Sequence, residues 1–139
     1  MSDPHDLQRF VDAQRSTYDQ ALAELRAGQK RTHWMWFVFP HIAGLGRSGM
    51  AQRFALADLD QARAYLAHPV LGPRLVECAR ALTDLDVDDP VQVMGSIDAK
   101  KLRSSMTLFA HAAPDQPVFR QVLDHYFAGA EDDATTSRL

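Results

Sequence analysis

Three short stretches of the chain concentrate side chains that can do chemistry. The first, Lys30-Arg31-Thr32-His33-Trp34-Met35-Trp36, sets both tryptophans two residues apart beside three basic side chains. A tryptophan face next to a cation suits a nucleobase, because stacking contributes roughly 1–3 kcal/mol per base. The same residues also suit a plain core, with Lys30, Arg31 and His33 at a wet rim. On a helix Trp34 and Trp36 point about 200° apart, so one of them misses the main core stripe.

The second stretch, Gly44-Leu45-Gly46-Arg47-Ser48-Gly49, satisfies G-x-G-x-x-G on paper. A dinucleotide fold needs a strand before that motif and a parallel strand after its helix. Here Pro40-His41 interrupts the approach, and residues 50–85 read as helices, so a Rossmann site is not expected. What remains is a set of backbone N–H groups around Gly46 and Ser48 ahead of a helix start, an arrangement that favours phosphate. Arg47 and Arg53 would add charge-assisted contacts. The plain alternative is a flexible corner between two helices.

The third stretch, Asp98-Ala99-Lys100-Lys101-Leu102-Arg103-Ser104-Ser105-Met106-Thr107, mixes one acid, three bases and three hydroxyls. On a helix Lys101, Ser104 and Ser105 share a face. A Ser–Lys nucleophile pair would need an oxyanion device, and no G-x-S-x-G elbow accompanies it. Serines packed closely between helices are the bland reading. None of the six histidines forms H-x-x-x-H or H-E-x-x-H, and a single cysteine rules out thiolate clusters, so no metal and no cofactor are expected. Cys78 sits on an apolar helix stripe, where a thiol is ordinarily an inert core residue.

The elements that must position these stretches are helical. Residues 4–27 carry Leu7, Phe10, Val11, Gln14, Tyr18, Ala21, Leu22 and Leu25 at helical spacing, with Gln14 the one polar interruption and Gly28 the stop. The aromatic run 33–39 ends at Pro40 and reads as a short buried helix. Ser48 caps a short helix through Phe54, and Asp58 with Gln61 makes a capping box for the next, which His68-Pro69 breaks. Further helices run over 70–82, 98–112 and 115–127, with a short Asp89-Pro90 segment closed by Gly95 between the first two. No alternating strand of useful length appears. The expectation is an all-α, single multihelical domain of six to seven short helices over residues 1–129, followed by a flexible acidic tail over 130–139.

Composition narrows the function classes. The chain has 139 residues, 46% hydrophobic and 24% charged, which suits one globular domain. Its formal charge of −3 argues against nucleic-acid binding through bulk charge. No apolar run approaches the roughly 20 residues of a membrane span. The polar, acidic start is unlike an export signal, and one cysteine allows no disulfide framework, so a cytoplasmic location is expected.

Several segments carry a family resemblance. They are Asp6-Leu7-Gln8-Arg9-Phe10-Val11, Gly28 to Pro40, Gly44 to Ser48, His68-Pro69-Val70-Leu71-Gly72-Pro73-Arg74-Leu75 and Lys101 to Phe109. Together they closely resemble the bacterial family known as domain of unknown function 1810, over roughly residues 6–127. The resemblance implies a multihelical fold. Two positions depart from the family pattern: His41 stands where glutamine is usual, and Ile97-Asp98-Ala99 replaces a Pro-Asp-Asp run. The order of the aromatic-basic segment, the His-Pro-x-Leu-Gly segment and the late polar helix start is also similar to the NADAR superfamily, which acts on ADP-ribose derivatives and related N-glycosidic bonds. That likeness implies a nucleotide-like, phosphate-bearing small molecule. Trp34 or Trp36 would stack its base, Arg31, Arg47, Arg53, Lys101 and Arg103 would hold its phosphates, and Lys30 and His33 would be further ligand-binding residues. Gly46, Ser48, Ser104 and Ser105 would complete the pocket, and Asp98 would assist glycosidic cleavage. The alternative is a non-enzymatic interaction module or homodimer, in which the same segments form a docking face. Whether the protein is an enzyme stays open at this level.

Overall fold

The computed structural model describes residues 3–139. Those residues form ten helices rather than six or seven: α1 Gln8–Gln14, α2 Tyr18–Ala27, α3 Met35–Val38, α4 Gly49–Arg53, α5 Leu59–Ala67, α6 Leu71–Thr83, α7 Pro90–Met94, α8 Ser96–Ala112, α9 Pro117–Phe127 and α10 Asp133–Thr136. The all-α class stands, and the helix count is corrected. No helix among the described residues is long and apolar enough to cross a membrane.

The extra helices have local causes. The helix expected over 4–27 breaks between α1 and α2. Gln14 turns inward and is buried, donating from Nε2 to the Phe37 carbonyl at 2.7 Å and the Tyr65 hydroxyl at 3.1 Å. Just beyond it, the Thr17 hydroxyl donates to the Ala13 carbonyl at 2.7 Å and competes with the helix ladder. The Asp89-Pro90 segment closes into α7, with the Asp89 carboxylate capping the Val91 amide at 2.9 Å. The tenth helix lies within the stretch expected to fray. Arg103 donates to the Ala130 and Glu131 carbonyls at 3.0 and 2.6 Å, Ser104 donates to Asp132 at 2.9 Å, and Thr135 is buried. Residues 130–132 are thus docked along α8, and Arg138 further on donates to the Gly44 carbonyl at 3.4 Å.

Other signals appear as read. Gly28 ends α2 at φ 75°, a left-handed conformation that glycine takes without Cβ cost. Asp58 caps α5 through the Gln61 amide at 2.9 Å, and the Gln61 side chain reaches back to the Ala57 amide at 2.6 Å.

The long helix α8 runs through the middle, burying Leu102, Met106, Phe109 and their neighbours against α5, α7, α9 and α10. A chain of aromatic contacts ties the core together. Phe54, Phe10, Tyr65, Phe109 and Phe119 follow one another at centroid distances of 5.6, 5.1, 5.6 and 5.6 Å. Cys78 is fully buried, and burial pushes its thiol up to about 12, as an inert core residue requires. A parallel bridge pairs Ile42 with Leu56, through Ala43 N–H to the Leu56 carbonyl at 2.8 Å and Leu56 N–H to the His41 carbonyl at 2.9 Å. This pairing pins His41 at the base of the glycine-rich loop.

Candidate functional site

The loop between α2 and α3 is built around a buried carboxylate. Glu24 Oε1 accepts the amides of Arg31 (2.8 Å) and Thr32 (3.0 Å) and the indole N–H of Trp34 (3.0 Å). Its Oε2 accepts the Thr32 hydroxyl at 2.6 Å and the Gln20 side-chain amide at 2.8 Å. Burial pushes this carboxyl up, but the bonds from Thr32, Arg31 and Gln20 outweigh it and hold Glu24 well below the usual carboxylate range. The Lys30 amide donates to the Val93 carbonyl at 2.8 Å, which ties the same loop to α7. The loop therefore stands in one place against the start of α8.

There two cationic side chains and one carboxylate meet. Lys30 Nζ lies 2.9 Å from Asp98 Oδ2, and its side chain is only 6% exposed. Lys101 Nζ lies 3.7 Å from Asp98 Oδ1. Each ammonium also sits over an indole, Lys30 at 4.9 Å from the Trp34 ring centre and Lys101 at 4.9 Å from that of Trp36. Lys30, His33, Met35, Trp36, Met94, Asp98 and Lys101, with the first turn of α8, line a cleft of about 360 Å³. The opening amides of α8 have no intrahelical partner, and its dipole adds partial positive charge at the cleft.

A second cleft of about 370 Å³ adjoins the first, with Lys101 and Ile97 common to both. Its remaining lining is His41, Leu45, Gly46, Lys100 and Ser104. His41 is 5% exposed, and its Nε2 has no hydrogen-bond partner. Burial lowers its pKa, Lys101 lowers it further, and Asp132 opposes them weakly, so the imidazole is neutral at pH 7. Gly46 has no room for a side chain: a Cβ there would stand 2.3 Å from that of Ala51 and 3.3 Å from His41 Nε2. Trp36 Nε1, like His41 Nε2, is buried without a partner.

The structure thus gathers Lys30, His33, Trp36, Asp98 and Lys101 at the first cleft and Gly46, Lys101 and Ser104 at the second. Seven other sequence candidates lie elsewhere. Trp34 is 1% exposed and bonded to Glu24, so it is core and has no face for a base. Ser105 is fully buried inside α8, and its hydroxyl has no partner. Arg103 is occupied by the carbonyls of the docked tail. Ser48 caps α4 through the Ala51 amide at 3.1 Å. Arg53 lies over the Phe54 ring in a separate hollow with Asp6 and Asp12. Arg31 bonds Gln29 at 3.2 Å and, like exposed Arg47, lines neither cleft.

Sequence reasoning passed over four residues. Glu24 is an acid one position from Leu25 on the apolar stripe of α2, a visible sign of a buried carboxylate. Lys100 belongs to the basic run. His41 is marked only by departing from the family pattern. Nothing in the sequence distinguishes Ile97, which is 70% exposed between the two clefts.

A larger hollow, about 730 Å³, lies elsewhere, between α6 and the ends of α2, α8 and α9. Its charges balance, Arg26 and Arg80 against Glu77 and Asp84, and none of its lining atoms is a buried orphan. The chemistry therefore favours the smaller clefts. No group of three or more His, Cys, Asp or Glu side chains among the described residues is arranged to hold a metal ion.

The family described as "Protein of unknown function (DUF1810)" matches residues 4–139. The chain belongs to the DUF1810 family. A crystal structure of the conserved hypothetical protein Rv1873 from Mycobacterium tuberculosis is similar over the whole fold, with a TM-score of 0.97 and 47% identity, covering 99% of this chain and 98% of that one. No curated protein matches the chain. DUF1810 membership accounts for the fold and assigns no chemistry to the two clefts.

Proposed function

We propose that this DUF1810 protein binds a nucleotide-like small molecule in the cleft at the start of α8. The observation that carries the proposal is the convergence of Lys30, Lys101 and Trp36, from two distant segments, on the amino end of a 17-residue helix. Two ammoniums against one carboxylate leave the lining net cationic, and the helix start adds to that field. A phosphate group suits this end of the cleft, and a planar ring suits the wall made by Trp36. The cleft volume is at the lower end of the 300–1,000 Å³ range typical of small-molecule sites.

Binding fits the geometry better than cleavage of an N-glycosidic bond. Asp98 is the only carboxylate in either lining, and both its oxygens face lysine ammoniums. The docking-face alternative finds less support. Among the described residues the large exposed apolar side chains are Val70, Val91, Ile97 and Leu139, a small set that comes from four different segments.

The test is calorimetric titration with a nucleoside monophosphate. Lys101→Ala should weaken binding at least tenfold. Asp98→Asn should tighten it several-fold, because the competing carboxylate is gone; a cleavage role predicts instead that turnover disappears in that variant. Ile97→Asp should abolish binding while leaving the fold intact, since an acid in a first helical turn is favourable. Absence of binding by the wild type, or binding unchanged in Lys101→Ala, refutes the proposal.

A further inference from the structure

We propose that the second cleft is a subsite for a second phosphate, so that the ligand is a diphosphate rather than a monophosphate ester. This inference rests on the function proposed above and names its substrate class. Its basis is a different set of residues: His41, Gly46, Lys100 and Ser104.

The first argument is charge. The only charged side chains lining the second cleft are Lys100 and Lys101, and no carboxylate faces it. Asp132, the nearby acid, is not part of the lining; its Oδ2 accepts from the Ser104 hydroxyl at 2.9 Å, from the Thr135 hydroxyl at 2.6 Å and from the Thr135 amide at 3.2 Å, so that oxygen is engaged within the tail contact. The second argument is the orphaned imidazole. His41 is held by the bridge at its own carbonyl, packed by Gly46 and left with a ring nitrogen that no protein group satisfies. A buried polar atom without a partner is costly, and an anion or its bound water in the cleft would relieve that cost. The third argument is proximity. The two clefts share one ammonium, Lys101, and a single ammonium bridges oxygens of two phosphates most readily when those phosphates are adjacent. Ile97, exposed between the clefts, would pack on the linkage as an apolar guide.

The experiment compares a nucleoside diphosphate with its monophosphate by isothermal titration on the full chain. The diphosphate should bind at least tenfold more tightly. In Lys100→Ala that ratio should fall to within about threefold of unity; Lys100 is exposed, so the variant tests the site without endangering the core. His41→Phe should reduce the ratio in the same direction. Arg80→Ala, which removes an equal charge from the remote hollow, should leave it unchanged. Equal affinity of the two ligands overturns the second subsite and leaves the first cleft standing. Binding of neither ligand overturns both. A diphosphate advantage that survives Lys100→Ala, or falls equally in Arg80→Ala, reduces it to bulk electrostatics and overturns the assignment.

Discussion

Glu24→Gln isolates the carboxylate on which the α2–α3 loop is built. The variant keeps the shape and removes the charge. One oxygen can still face the amides of Arg31 and Thr32 and the Trp34 indole, at 2.8 to 3.0 Å. The new amide group must then replace Oε2, which accepts the Thr32 hydroxyl and the Gln20 amide. Thr32 can reverse its hydroxyl and Gln20 can flip, so the loss is one of strength more than of number. Hydrogen bonds to a charged group are worth about 1.5–3 kcal/mol and neutral ones about 1, and the bonds are not additive, so the expected cost is roughly 2–3 kcal/mol at pH 7. The pH dependence has a definite sign. The folded carboxyl is held below its ordinary value of 4.5, so its contribution is complete above that value and is lost as the pH falls towards the folded value. Each pH unit below it removes about 1.4 kcal/mol from the wild type and nothing from the variant at this site. Urea unfolding at pH 7 and at pH 3.5 should therefore show a wide gap that narrows by about 1.4 kcal/mol. A gap under about 0.5 kcal/mol at pH 7, less than a single neutral hydrogen bond, or a gap unchanged at pH 3.5, refutes the account of the loop.

Two further outcomes follow from buried groups. Cys78, with its thiol pushed up to about 12 by burial, should resist a disulfide reagent at pH 8 in the native protein and react with one equivalent in urea; fast native reaction would place it at the surface. Truncation after Gly129 should cost about 2–4 kcal/mol in urea unfolding, since it removes the partners of Arg103, Ser104 and Thr107 and uncovers the site of buried Thr135; stability equal to that of the full chain would show that residues 130–139 contribute no docking energy.

What the sequence reveals best is local. Gly28, Asp58 with Gln61, and Asp89-Pro90 act on their own few residues, and each does in the structure what its chemistry dictates. What it hides is the destination of polar side chains that leave their own element. Gln14 looks like a blemish on a continuous stripe, yet it is buried on the Phe37 carbonyl and the Tyr65 hydroxyl, and the helix breaks just beyond it. The acidic tail looks soluble by composition. Its cohesion comes from backbone carbonyls offered to Arg103 and from Glu131 bridging His111 at 2.7 Å and Arg120 at 2.9 Å, and no composition count shows such pairings.

The same limit shapes the candidate site. Lys101, Ser104 and Ser105 share a helical face by spacing, but the boundary between core and surface runs through that face. Ser105 falls inside it, Ser104 turns to the tail, and only Lys101 reaches Trp36 and Asp98. Likewise Trp34 and Trp36 part company, one to the core and one to a cleft wall, but with Trp34 preceding the first turn of α3 no helical period says which. Glu24 decides it, because its carboxylate takes the Trp34 indole N–H and so turns that ring inward. Trp36 has no such partner, and its ring is left beside Lys101. A buried carboxylate that is itself no part of either cleft therefore selects which tryptophan can meet a ligand.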